Sequence, residues 1–111
     1  MLGWRIARVG GDSMAPGLKA GDYVIARKSR SMPVPGDVVL VRHSALGLIV
    51  KRVLRLDQTG CCILSGDNAL SMSSDMIGSV APAMIAGVVR WRVAPDGVFR
   101  LHNQGGVADS L

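Results

Sequence analysis

The sequence predicts an all-β domain of bent, mostly antiparallel sheets. Short runs rich in Val and Ile recur along the 111 residues, and Gly, Pro and Asp separate them, which is the pattern of strands joined by turns. No segment carries the long apolar period of an amphipathic helix. A chain of this length buries one modest core, so we expect a single domain over residues 1–103 and a polar, frayed tail over 104–111.

Seven apolar runs define the predicted strands. They are residues 4–9, 22–28, 37–43, 47–56, 60–65, 84–93 and 97–101. The segments between them are rich in turn-forming residues, and APDG at 94–97 predicts a hairpin between the last two strands. Single helical turns are compatible with SSDMIG at 73–78 and PAMI at 82–85. The phrases LKAGDYVIA and PVPGDVVLV, at 18–26 and 33–41, share a Gly-Asp turn before a β-branched run, which predicts two similar strand starts in one sheet.

Composition and charge narrow the classes of function. The chain is 49% hydrophobic and 19% charged, which is typical of a globular domain, and its net charge is +5. The basic residues alternate with apolar ones in runs such as VKRVLRL at 50–56, a pattern typical of the solvated face of a sheet, so we expect no nucleic-acid partner. No run has the roughly 18 apolar residues of a membrane span, and the start of the chain has no signal-peptide core. We therefore expect a cytoplasmic protein, and peripheral contact with a membrane surface stays open.

The two cysteines, Cys61 and Cys62, are adjacent in the sequence. They have neither the geometry of a disulfide nor the spacing of metal ligands. Both are interpreted as small apolar strand residues. We expect no metal and no cofactor.

Ser13 is the first candidate for chemistry, because it lies among the turn residues of GGDSMAPGL at 10–18. A serine is a poor nucleophile until a base removes its proton. His43 and His102 are possible bases, since the members of a triad need not be close in sequence. His43 stands at a strand end and His102 in the polar tail, so we expect both at the surface.

Lys51 is the alternative base, because it lies in GLIVKRVLRL, the most apolar run of the chain. In a strand, Lys51 shares its face with Ile49 and Val53, while Arg52 points to the other side. Burial disfavours the ammonium form, and activity near pH 7 requires the pKa to fall by roughly 3 units from about 10.4. The competing interpretation is a lysine whose amine extends along the strand into solvent.

Three motifs resemble those of the signal peptidase I and LexA-type serine-lysine peptidases. GDSMAPGL at 11–18 resembles their nucleophile box, and IVKRV at 49–53 their lysine box. GDNALSMSSDMIGSV at 66–80 is similar to the Gly-Asp-Asn box of the signal peptidase side. The two Gly-Asp strand starts also look like those of this clan. The matches occur in family order over about residues 8–90.

The resemblance implies an all-β LexA-like or signal peptidase-like fold, with Ser13 as nucleophile and Lys51 as general base. The backbone N–H of Ser13 would stabilise the oxyanion. Ser73 would orient Lys51, and Asp75 would brace its loop without the arginine that usually follows it. Some relatives have a hydroxyl where this chain has Gly11. The supporting residues implied by the resemblance are Gly11, Asp12, Met14, Pro16, Ser73 and Asp75.

The function implied is a serine endopeptidase that cleaves a leader or propeptide from a protein bound as an extended strand. In length and layout the chain resembles short, anchorless maturation proteases of the type thought to process nickel-type superoxide dismutase. One alternative is a LexA-like self-cleaving regulatory domain, although only 12 residues precede Ser13. The other is a non-catalytic β domain that binds protein or nucleic acid and does not depend on Lys51.

Overall fold

A computed structural model of the chain describes residues 3–28, 31–68 and 73–101, and the fold is built around one β-sheet. Its elements in chain order are β1 (Trp4–Arg8), β2 (Tyr23–Arg27), β3 (Val38–His43), β4 (Gly47–Leu56), β5 (Cys62–Ser65), α1 (Ser74–Ile77), β6 (Ser79–Val80), a 3-10 turn (Pro82–Met84), β7 (Ile85–Ala94) and β8 (Gly97–Arg100). All seven predicted strands are present, with ends within two residues of the prediction. Both single helical turns also form, and β6 is a short strand that was not predicted.

The long strand β7 is the centre of the sheet. The order is β1-β2-β7-β3-β4-β5-β6, with β8 added beside β7, and every pairing is antiparallel. β7 pairs with β2 from Val88 to Val93, with β3 from Ile85 to Val88, and with β8 from Trp91 to Ala94. The last pairing is the predicted hairpin. Register shifts in β2–β7, β3–β7 and β4–β5 bend the sheet at these points.

Both faces of the bent sheet are apolar, because alternate residues of β3 enter two separate clusters. The inner cluster comprises Ala7, Val9, Met14, Leu18, Val24, Ala26, Val38, Leu40, Ala86 and Val89. The outer cluster comprises Val39, Val41, Val53, Cys62, Leu64, Ile77, Val80 and Val88. Outside the strands, Ile77 of α1 and Met84 of the 3-10 turn pack in or against the outer cluster. Burial on both faces explains why VVLV in β3 is an unbroken apolar run.

The two Gly-Asp turns have the same local structure, as their similar sequences predict. Gly21 and Gly36 both have φ of +94°, a conformation that strongly favours glycine. The carboxylates of Asp22 and Asp37 each accept the backbone N–H three residues earlier, at 2.9 and 3.0 Å. Each side chain therefore locks the turn that precedes its strand.

Gly87 is required where β7 passes close to β2. A Cβ atom at this position would lie 3.0 Å from the carbonyl carbon of Arg27 and 3.1 Å from the Cβ of Ala26. Since neighbouring backbone cannot yield cheaply, we predict that Gly87→Ala lowers the free energy of unfolding by about 1–3 kcal/mol. Urea denaturation monitored by circular dichroism measures the change.

Gly10→Ala is the matched control, because a Cβ atom there has no heavy atom within 4 Å. We expect no loss of stability in this variant, since surface changes of this kind stay within about 0.5 kcal/mol. Equal midpoints for the two variants would show that the approach of β7 to β2 is not tight.

Candidate active site

Ser13 lies in the loop between β1 and β2, which is closed at its base by backbone hydrogen bonds. Val9 N–H donates to the Asp22 carbonyl at 2.7 Å, and Gly21 N–H donates to the Val9 carbonyl at 2.8 Å. Arg92 of β7 donates to the buried Asp22 carboxylate at 2.9 Å. Burial acts to raise the pKa of Asp22, but hydrogen bonds from the Lys19 amide and from Arg92 outweigh it and hold the pKa below its ordinary value. The base of the serine loop is therefore fixed to the sheet.

Within this loop Ser13 is half-buried and stands between exposed and buried residues. Gly11, Asp12 and Pro16 are exposed, whereas the Met14 side chain is buried in the inner cluster. The space where a Cβ of Gly11 would stand is open, as it is at Gly10. Met14 thus anchors the loop to the core, and the segment before Ser13 leaves room for another chain to approach.

Asn68 fastens the serine loop to the end of β5. Its backbone N–H donates to the Ser13 carbonyl at 2.8 Å, and its Nδ2 donates to the Asp12 carbonyl at 2.9 Å. Asn68 belongs to the Gly-Asp-Asn motif, but sequence reasoning gave it no role of its own. The available signal was an asparagine beside a turn, where its amide can bridge backbone carbonyls.

Lys51 is buried in β4, with 6% of the residue exposed. It pairs with Val39 of β3, and its strand neighbours Ile49 and Val53 pack in or against the outer cluster. Val50 packs against the inner cluster, so the predicted alternation along this strand is confirmed. Burial lowers the pKa of Lys51 from its ordinary value, because removal of water disfavours the ammonium form.

The serine loop and the lysine strand are both attached to the same end of β5. Arg52, next to Lys51, pairs with Ser65, the last residue of β5. Three residues further on, Asn68 holds the backbone of Ser13. Strand pairing and these hydrogen bonds therefore bring the segments of the two predicted catalytic residues to one region of the fold.

Arg52 reinforces this attachment through a bidentate ion pair with Asp67. Its Nε lies 2.8 Å from Oδ1 and its Nη2 lies 2.7 Å from Oδ2. Its Nη1 also donates to the Gly36 carbonyl at 2.7 Å. Arg52 points away from Lys51 as predicted, towards a cavity that Met14 and Leu18 also line. Paired hydrogen bonds of this kind fix orientation as well as position, so the Gly-Asp-Asn segment is held firmly against β4.

His43 has both ring nitrogens in structural hydrogen bonds. Nδ1 accepts the N–H groups of Ala45 and Leu46, each at 3.0 Å, so we assign the ring proton to Nε2. Nε2 then donates to the Ile77 carbonyl at 2.8 Å. We expected His43 at the surface, but the residue is half-buried at the β3–β4 turn. His102 lies outside the described residues.

Ser73 is exposed and caps the N-terminus of α1. Its Oγ accepts the Met76 N–H at 3.4 Å, while the neighbouring Ser74 hydroxyl donates to the Leu64 carbonyl. Asp75 is the second residue of the helix, and its side chain lies outside the described part of the structure. The suggestions that Ser73 orients Lys51 and that Asp75 braces the loop stay predictions.

A comparison with known families bears out the family resemblance of the sequence. The model of the family described as Peptidase S24-like matches residues 4–90, a range that includes Ser13, Lys51 and the Gly-Asp-Asn segment. No curated protein matches the chain.

Burial of Lys51 makes stability depend on pH in a specific direction. Because the pKa is lower in the folded state, the unfolded chain binds more protons between the two pKa values, and stability rises with pH across that interval. We predict that Lys51→Met is more stable than the wild type at pH 7, by about 1.4 kcal/mol for each unit of lowered pKa. The gain should disappear as the pH approaches the ordinary lysine value. Urea unfolding at a series of pH values measures it.

Lys28→Met is the control, because Lys28 is exposed. We expect its effect on stability to be small. A gain in Lys51→Met that does not change with pH would mean that the residue is not titrating in the folded protein.

Proposed function

The chain belongs to the Peptidase S24-like family, and from that membership we propose that it is a serine endopeptidase with Ser13 as nucleophile and Lys51 as general base. The observation that carries the proposal is the burial of Lys51, which lowers its pKa. A lysine that gives up its proton more easily can accept one from a serine hydroxyl nearer to neutral pH. The attachment of both segments to the end of β5 is a second support.

In the proposed reaction, the Ser13 Oγ attacks the scissile carbonyl carbon while the neutral Nζ of Lys51 accepts the hydroxyl proton. The Lys51 ammonium then donates that proton to the leaving amine as the C–N bond breaks, and an ester remains on Ser13. Water attacks the ester carbonyl carbon while Lys51 accepts one of its protons. The C–O bond to Ser13 then breaks, Lys51 returns the proton to the Ser13 Oγ, and the carboxylic acid product leaves. The backbone N–H of Ser13 donates to the oxyanion, a contribution worth about 3 kcal/mol for each donor in other serine peptidases.

The proposed substrate is an extended segment of another protein, such as a leader or propeptide. The open space beside Gly10 and Gly11 supports this class of substrate, because glycines without Cβ atoms let a peptide backbone approach closely. Extended peptides bind by pairing as an added strand. Asn68 acts as a positioning residue, since it holds the carbonyls of Ser13 and Asp12.

The dyad is tested by single substitutions. We predict that Ser13→Ala and Lys51→Ala abolish cleavage of a proteome-derived peptide library, with new N-termini mapped by mass spectrometry. Lys51→Arg should fail as well, because a guanidinium does not lose its proton in this range. Loss of a general base lowers the rate by about 10²–10⁴-fold.

Lys28→Ala is the control for Lys51→Ala, and circular dichroism checks that each variant is folded. Cleavage that survives in Lys51→Ala would exclude lysine as the base. Cleavage that survives in Ser13→Ala would exclude this serine. A folded wild type that cleaves no peptide and no precursor protein would favour a non-catalytic binding domain.

The role of Asn68 is tested by Asn68→Ala, which removes the Nδ2 hydrogen bond and keeps the backbone one. We predict that kcat falls by about 10–100-fold, because small displacements of a nucleophile cost rate. KM and the midpoint of the pH–rate profile should not change, since the charge around Lys51 is unaltered.

Thr59→Ala is the control, because it removes a side-chain hydrogen bond to Asp57 at the opposite end of β5. This variant should keep full kcat. A shifted pH midpoint in Asn68→Ala would show that Asn68 acts on the titration of the base and not on the position of Ser13.

A further inference from the structure

One face of the β1-β2-β7-β8 part of the sheet is apolar and uncovered among the described residues. The strand registers place two rows on this face, Ile6–Ile25–Trp91–Arg100 and Arg8–Tyr23–Val93–Val98, and the pair Trp4–Arg27 lies beside them. We call these ten residues the arginine–aromatic face. The opposite face of the same strands carries Ala7, Val24 and Ala26 of the inner cluster.

The exposed side chains of this face are unusual for a solvated sheet. Ile6 is 70% exposed, Val98 60% and Tyr23 46%. Ile77 of α1 and Met84 of the 3-10 turn pack in or against the outer cluster, but these three side chains stay exposed in the part of the chain that the structure describes. Contiguous exposed apolar side chains with a polar rim mark interaction sites more often than isolated ones do.

Every fixed charge on this face is positive. Its cations are Arg8, Arg27 and Arg100, and none of the ten positions is an aspartate or glutamate. The Arg27 guanidinium lies 5.1 Å from the ring centre of Trp4, and that of Arg100 lies 5.5 Å from the ring centre of Trp91. Stacking on indole keeps these two cations at the level of the apolar side chains.

We propose that the arginine–aromatic face binds the surface of an anionic lipid bilayer. Indole rings and aliphatic side chains enter the interface between headgroups and acyl chains, while arginines contact lipid phosphates. The described part of the chain has no helix with the length and hydropathy to span a bilayer, so the contact is a peripheral one. The proposal does not depend on peptidase activity.

The chemistry of the face favours lipid over the other partners. A nucleic acid would use the arginines and the aromatic rings, but Ile6 and Val98 offer it no stacking surface. A second copy docked face to face would bury three arginines from each copy, with no aspartate or glutamate on the face to pair with them, which is destabilising. An anionic bilayer satisfies both the aliphatic and the cationic side chains.

Binding can be followed by the intrinsic tryptophan fluorescence of the protein, because both of its tryptophans lie on this face. We expect the purified protein to sediment with vesicles of phosphatidylcholine and phosphatidylglycerol, and much less with phosphatidylcholine alone. Brominated acyl chains should quench the tryptophan fluorescence, and binding should weaken as salt is raised. Absence of sedimentation and quenching at low salt would overturn the proposal.

Substitutions on and off the face identify the contact. Arg8→Gln should weaken binding to the anionic vesicles by about fivefold, and Ile6→Ser with Val98→Ser should abolish the quenching. The controls are Arg55→Gln and Leu54→Ser on β4, where Leu54 is 53% exposed, and they should bind as the wild type does.

Three results would contradict the proposal. Equal loss of vesicle binding in the controls would remove the assignment to this face. If sedimentation equilibrium finds a dimer, and the double substitution of Ile6→Ser and Val98→Ser dissociates it, the face would be assigned to a second copy. Tight binding of a single-stranded oligonucleotide, with none to vesicles, would assign it to nucleic acid.

Discussion

The burial of one lysine in β4 is the constraint on which the proposed chemistry of this fold depends. Lys51 is held among aliphatic side chains, and this lowers its pKa. The face of β4 that carries Lys51 also carries Ile49 and Val53, which pack in or against the outer cluster. Burial on this face costs stability, because an ammonium group is poorly accommodated away from water.

A second constraint is that the proposed nucleophile, Ser13, and its proposed base, Lys51, must be held close to each other in the fold. Residues 66–68 make this connection from one short segment. Asp67 pairs with Arg52, the residue after Lys51, and Asn68 binds the backbone of Ser13. Neighbouring side chains thus bind the lysine strand and the serine loop respectively. Because both sets of contacts start from consecutive residues, a movement of this segment would displace both candidate catalytic residues at once.

Most of the strands and turns could be predicted from local sequence patterns, but the long-range pairing of the strands could not. Strands β1 to β5, β7 and β8 have clear apolar runs, and the two Gly-Asp turns fix their own geometry through a bond within four residues. The two-residue strand β6 has no such pattern, since its pairing with β5 alone defines it. Two other features depend on the assembled sheet. One is the central place of β7, and the other is the hydrogen bond from Asn68 Nδ2 to the Asp12 carbonyl, 56 residues away. Alternation predicted that Lys51 shares its face with Ile49 and Val53 but left its burial open. The two hydrogen bonds of His43 Nδ1 are local, to Ala45 and Leu46, whereas that of Nε2 requires Ile77, 34 residues away.

One face of the sheet lies in two different environments, one packed and one exposed to solvent. Strand pairing connects the two along a single row of residues. A row of partners runs from Lys51 through Val39 and Val88 to Arg27. At the Lys51 end the face is packed, and only 6% of the lysine is exposed. At the Arg27 end the packing stops, and a guanidinium stacks on Trp4 in contact with solvent. Burial lowers the pKa of Lys51, whereas a guanidinium keeps its charge in either environment. The residue whose pKa responds to burial therefore stands at the buried end of the row, and the arginine stands at the exposed end.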